Sequence, residues 1–341
     1  MANYWAILIG INQYQFFQPL GYAQADAEGL RNCLLAQAGF LPENCLLMTD
    51  TSPPWEKYST YPSQENLLQL LGSLIPRLQK EDHLWIFFSG YGVYHDRQDY
   101  LMPVQGDPKN IVATGIEVRS LFLDLHNAAI GSVVVLLDMN RAAGTEADVP
   151  LGQETLELGF ELEIPVILAC TPHQYSRESA ELGHGFFTSV LIEALQVGYA
   201  NTLGELEGYL SDRTPQLCQH YWRPIQNPVA AIRPPENREQ IILAKLSINH
   251  YELEGGEWGI GEVGNGRWGE VPEIPLITPP LPHSPTPPLP HSPTAASETL
   301  PKILWWAVGV MLLLSLMLFF FSRNREATNK RAAVAAVTVV D

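Results

Sequence analysis

Three stretches constrain this chain more than any others: YWAILIG at 4–10, HLWIFFS at 83–89 and SVVVLLD at 132–138. Each is an apolar run of strand length. None shows the apolar–polar alternation of a strand with one face in water. Such strands must be covered on both faces, which calls for a parallel sheet between layers of helices. Further strand candidates lie at 45–49, 165–170 and 228–232, and the first run extends to Ile11. Helical spacing of apolar residues falls between them, at about 22–38, 63–79, 116–129, 185–197 and 202–217. Pro62-Ser63 reads as the start signal of the second helix. The prediction for residues 1–235 is one α/β domain, a three-layer αβα sandwich around a largely parallel sheet of about six strands. In such sheets function collects at the carboxyl ends of the strands.

The remainder reads differently. Residues 236–277 form a Gly- and Trp-containing connector. Within it Gly264, Gly266 and Gly269 match the dinucleotide fingerprint as text, but no strand precedes them and no helix follows, so that reading is set aside. The octapeptide TPPLPHSP then occurs twice in tandem, at 278–285 and 286–293, in a Pro-rich spacer (278–302) suited to extended polyproline II. Residues 303–321 carry no charge, and at about 1.5 Å per residue they span roughly the 30 Å of a bilayer core. Lys302, Arg323, Trp305 and Trp306 flank or anchor this run. It is predicted to be a single transmembrane helix, followed by a basic tail (322–341). The N-terminal MANYWAILIG lacks a basic n-region and reads as a first strand, not a signal peptide. The domain is expected on the cytoplasmic side.

The formal net charge is −17, and the basic end makes the body more acidic still. A body of that sign is unsuited to nucleic acid, which needs a basic face, and suits basic partners. Cys33, Cys45, Cys170 and Cys218 show no C-x-x-C spacing. They read as small buried hydrophobes in a reducing compartment. No metal or cofactor site is expected from spacing, and calcium dependence is left open.

Two strand ends carry candidate chemistry. IFFSGYG (86–92) stops at a Tyr between two glycines, and VVLLDMNRAAG (134–144) runs into Asp138-Met139-Asn140-Arg141. With YWAILIGINQY (4–14), LGYAQADAEGLRNCLLAQAGFLPENCLLMTD (20–50), PSQENLLQLL (62–71), IPVILACTPHQYSRESAELGHGFFTSVLIEAL (164–195) and QNPVAAI (226–232), they occur in the order of a caspase-like fold. The chain resembles the metacaspase and prokaryotic orthocaspase type of cysteine peptidase over residues 1–235. A large-subunit-like part spans about 1–145 and a small-subunit-like part about 160–235. The link near 141–163 is a plausible place for processing.

The resemblance puts Tyr91 where the family has its S-G-H-G histidine, and Asn140 where it has the D-x-C cysteine. A phenol, with an ordinary pKa near 10, is no base at neutral pH. An amide is no substitute for a thiolate. Both halves of the dyad are therefore expected to be absent. The resemblance also implies a pocket for a basic side chain at Asp26, Ser89 and Asp138, with oxyanion-hole amides at Gly92 and Asn140. Two carboxylates in one concave site favour Arg or Lys. The implied function is a membrane-anchored, catalytically inactive pseudo-peptidase. It would hold a protein or basic peptide, or pair with an active paralogue. Two alternatives stand beside it: an active cysteine-type endopeptidase using non-standard groups, and a membrane scaffold using only the outer surfaces of the fold. His95, His184, Cys170 and Ser89 are the groups available for substitute chemistry.

Overall fold

The three apolar runs become the middle of a six-stranded sheet. In chain order the elements are β1 (Tyr4–Gly10), α1 (Ala23–Ala36), β2 (Cys45–Thr49), α2 (Gln64–Leu74), β3 (His83–Ser89), β4 (Gly92–His95), β5 (Gln98–Leu101), α3 (Ile111–Thr114), β6 (Ile116–Glu117), α4 (Val118–Asn127), β7 (Ser132–Asp138), α5 (Gln153–Glu161), β8 (Val166–Leu168), β9 (Glu178–Ser179), β10 (His184–Gly185), α6 (Phe186–Gln196), α7 (Leu203–His220) and β11 (Val229–Ala231). This computed structural model describes residues 2–128, 130–141 and 150–243. The Pro-rich spacer, the 303–321 run, the basic tail and nearly all of the connector lie outside the described residues. Among the described residues no helix is long and apolar enough to cross a membrane.

The main sheet has the order β11-β8-β7-β3-β1-β2. All its pairings are parallel except that of β11 with β8. Alternate residues of each central strand serve opposite layers, as unbroken apolar runs require. Ile7, Ile86 and Val135 pack with Leu70 and Leu74 of α2 and Phe122 of α4. Leu8, Phe87 and Leu136 pack with Leu30 of α1, Val190 of α6 and Leu206 of α7. Each such side chain taken from water contributes about 1.5–3 kcal/mol.

The register decides where chemistry can gather. Gly10 pairs with Ser89, and Ser89 with Asp138, so the carboxyl ends of β1, β3 and β7 are flush. Strand order reverses at β1, with β2 on one side and β3 on the other. In open α/β sheets such a switch point is where ligands bind. Gly10 lets α1 start directly against it, because a Cβ there would collide with the Ala23 carbonyl. This close approach lowers Asp26, in the first turn of α1, onto the end of β3.

The structure differs from the sequence reading in three places. Residues 153–161, inside the stretch read as a link, form α5. The predicted helix at 116–129 begins as β6 and becomes helical at Val118. β4, β5 and β6 form a separate antiparallel sheet directly after the Tyr91 turn. α5 lacks a local cap: Gly152 at its start is left-handed and offers no side chain. The cap comes from Asp99 on β5, which accepts from the amides of Gly152 and Thr155 and from the Thr155 hydroxyl. Glu154 returns the contact by accepting from the Asp99 amide, and it pairs with Arg119 at 3.0 Å.

Candidate functional site

Asp26, Ser89 and Asp138 are fully buried and meet above the strand ends. Ser89 Oγ donates to Asp26 Oδ2 at 2.9 Å. The other Asp26 oxygen accepts the Gly185 amide at 2.9 Å and faces His184 Nδ1 at 3.2 Å. Gly185 fits closely here, since a Cβ would lie 3.0 Å from Asp138 Oδ2 and 3.2 Å from Asp26 Oδ2. Burial raises the Asp138 carboxyl from its ordinary value to about 6, against the opposing pull of Arg141.

The pocket already holds a guanidinium. Arg141 has a side chain only 4% exposed, and its Nη2 lies 3.1 Å from Asp138 Oδ2. The same nitrogen donates to Ser89 Oγ at 2.9 Å, so Ser89 links Arg141 to Asp26. Glu178 adds a third negative charge acting on Arg141. Its carboxylate is itself fixed by the amides of Gly21 and Tyr22. The three residues expected at the pocket are therefore brought together, around a cation supplied by the chain itself.

Tyr91 and Asn140, the residues expected at the dyad positions, are built as core. Tyr91 is 1% exposed. Its ring stacks on Phe17 with centroids 4.8 Å apart and meets Tyr14 edge-on at 5.0 Å. Its amide donates to the Tyr14 hydroxyl at 2.9 Å, and its carbonyl accepts from Met102 N. Burial pushes the phenol above its ordinary value, further from any basic role at neutral pH. Asn140 is 3% exposed. Its Nδ2 donates to the Leu151 carbonyl at 2.9 Å, and its own carbonyl accepts from the Ser176 amide. It stitches the end of β7 to the segments before α5 and β9. The Gly92 amide, implied as an oxyanion donor, donates to the Met139 carbonyl at 2.8 Å.

The candidate substitutes are placed elsewhere or committed. Cys170 is buried, its Sγ lies 3.3 Å from the Gln174 carbonyl, and burial raises the thiol far above the range in which thiolate forms. His95 sits at a hairpin end beside Asp96, and His184 faces Asp26. Ser89 is held between Asp26 and Arg141. Among the described residues no group of three or more His, Cys, Asp or Glu is arranged to hold a metal ion. Sequence reasoning missed Tyr14, Phe17 and Glu178, and the pocket contacts of Arg141 and His184. The only local signal was the strand-end position of Arg141 beside Asn140.

Comparisons with known proteins agree with this architecture. Residues 5–124 match the family model described as the metacaspase, peptidase C14 domain. That match includes Asp26, Ser89 and Tyr91 and ends before Asn140. The chain is 29% identical over 91 residues to Metacaspase-1 of Eremothecium gossypii, covering 27% of this chain and 20% of that protein. It is 33% identical over 87 residues to Metacaspase-7 of Arabidopsis thaliana, covering 26% of this chain and 21% of that protein. The chain thus spans about a fifth of the length of these curated relatives. The crystal structure of protein GSU0716 from Geobacter sulfurreducens superposes with a TM-score of 0.50 at 16% identity, over 70% of this chain and 97% of that one. That likeness concerns the fold. Taken together, residues 5–124 match a metacaspase-type peptidase C14 domain, and the αβα sandwich is consistent with a caspase-like fold.

Proposed function

We propose that this chain is a non-catalytic metacaspase-type module, a pseudo-peptidase that binds or regulates other proteins instead of cutting them. The observation that carries the reading is the state of the two dyad positions. Tyr91 and Asn140 are both buried, and both are engaged in contacts that hold the fold together. A nucleophile has to reach a scissile carbonyl, and a base has to exchange protons near neutral pH. Neither residue has the chemistry or the access. The committed Gly92 amide and the masked thiol of Cys170 argue against rescue by other groups.

What the cleft retains is charge. Asp26, Asp138 and Glu178 surround a site matched to a guanidinium, which supports an arginine- or lysine-bearing peptide as the class of ligand. On the sequence evidence of residues 303–321, the module is anchored in a membrane with its folded domain on the cytoplasmic side. Protease protection of the domain in sealed vesicles tests that placement. The decisive assay for the main reading uses the full chain with a panel of Arg- and Lys-containing peptides. The expected result is no turnover above buffer. Cleavage after Arg or Lys that disappears in N140A would overturn the reading.

A further inference from the structure

The acidic pocket and its occupant belong to the same chain, and the occupant is of the class of ligand proposed above. Arg141 follows Asp138 by three residues and leaves β7 in a turn closed by its amide on the Met139 carbonyl, 3.1 Å. Its guanidinium reaches back over the strand end to the hydroxyl and carboxylate that a ligand guanidinium would use. The geometry points to Arg141 as a built-in ligand: it closes the Asp26–Ser89–Asp138 pocket in the resting chain, and an external arginine side chain enters only by exchange with it. This inference rests on the pocket reading of the preceding section and adds its regulation.

Two observations favour exchange over a purely structural ion pair. Three acids face one guanidinium, leaving the site electrically attractive to a second cation. Two of the three acids are also positioned by groups other than Arg141. Asp26 is held by the Gly185 amide and Ser89, and Glu178 by the amides of Gly21 and Tyr22. Those two keep their supports when the plug leaves.

Because the plug is tethered a few residues from the pocket, it competes at high effective concentration. Tethering of this kind is worth roughly 10²–10⁴-fold. The test titrates full-length wild type and R141A with ethylguanidinium, an arginine side-chain mimic, at matched ionic strength. n-Butylammonium serves as the cation without a planar fork, and thermal unfolding is the readout. R141A is expected to melt lower than wild type. Ethylguanidinium should raise its midpoint saturably, at concentrations about 100-fold or more below those at which wild type responds, and n-butylammonium should act more weakly. D26N introduced into R141A should abolish the response. Equal responses of wild type and R141A, or an undiminished response in the double variant, would overturn the inference. Should R141A fail to fold unaided, R141Q carries the same titration. Folded R141A or R141Q recovered specifically with ethylguanidinium supports the built-in ligand, and failure of both at every concentration refutes it. Peptide turnover by the wild type would sink the non-catalytic reading alone, whereas a missing guanidinium response would sink the plug alone.

Discussion

Two neighbouring regions at the same strand ends have been filled in different ways. The Tyr91–Asn140 region is closed by packing and neutral hydrogen bonds. The Asp26–Ser89–Asp138 pocket is closed by a charge. The difference follows from what each region contains. A dyad position without an ionised group can be covered by an aromatic ring, and Phe17 and Tyr14 do this over Tyr91. Buried carboxylates cannot be covered that way, because an unpaired buried charge costs several kcal/mol. They require a cation, and Arg141 provides one. One region is core, while the other gathers buried charges.

The largest effect should come from the packed region. Y91A removes a ring buried among aromatic neighbours and is expected to cost about 4 kcal/mol in denaturant unfolding at any pH between 5 and 8. A loss under about 1 kcal/mol would show that Tyr91 is not core. R141A should cost about 3 kcal/mol at pH 7.5, because it leaves facing carboxylates without their counter-charge. Unlike the Y91A loss, this one should shrink at pH 5, where protonation relieves the repulsion. A pH-independent R141A loss would erase the distinction between the two regions. N140A should cost about 1–2 kcal/mol, the penalty for leaving the buried Leu151 carbonyl without its donor. Y14F should cost about 1 kcal/mol by orphaning the Tyr91 amide.

The last effect is a slope rather than a fixed loss. The folded-state pKa of Asp138 is raised to about 6 from an ordinary value of about 3.8, burial being the cause. A carboxyl with a raised folded pKa binds its proton more tightly in the native state. Its contribution to stability is therefore fully present below the unfolded value and is lost as pH rises through about 6. Stability profiles of wild type between pH 4 and 7 should carry this downward slope, and D138N should lack it. Identical slopes in the two proteins would contradict the assignment.

The two regions were not equally legible in the sequence. Asp26, Ser89 and Asp138 could be proposed as one site because the family resemblance aligns them, and the parallel register then brings their strand ends flush. Arg141 was visible as a letter beside Asn140, but nothing local tells that its side chain turns back over β7. Tyr14 and Phe17 come from a loop and Glu178 from β9, and their contacts span 77 residues for Tyr14 and 157 for Glu178. Helix α5 escaped notice for a related reason. Its cap is Asp99, 53 residues before Gly152, so no start signal stands next to it. By contrast, α2 and α7 carry Ser63 and Thr202 as local caps, and the sequence placed both helices, with Ser63 as the start signal of α2.

The sequence by itself determined the sandwich, because an apolar run without alternation has to be covered on both faces and the intervening helical spacings supply the cover. It also placed Tyr91 and Asn140 at the positions where the resemblance expects a histidine and a cysteine, since identity at a position is a local fact. Only the tertiary structure decided that Tyr91 and Asn140 are buried and that Arg141 lies against Ser89 and Asp138. Both outcomes depend on which distant side chains the loops deliver to the strand ends, and burial and charge pairing there are properties of the assembled neighbourhood.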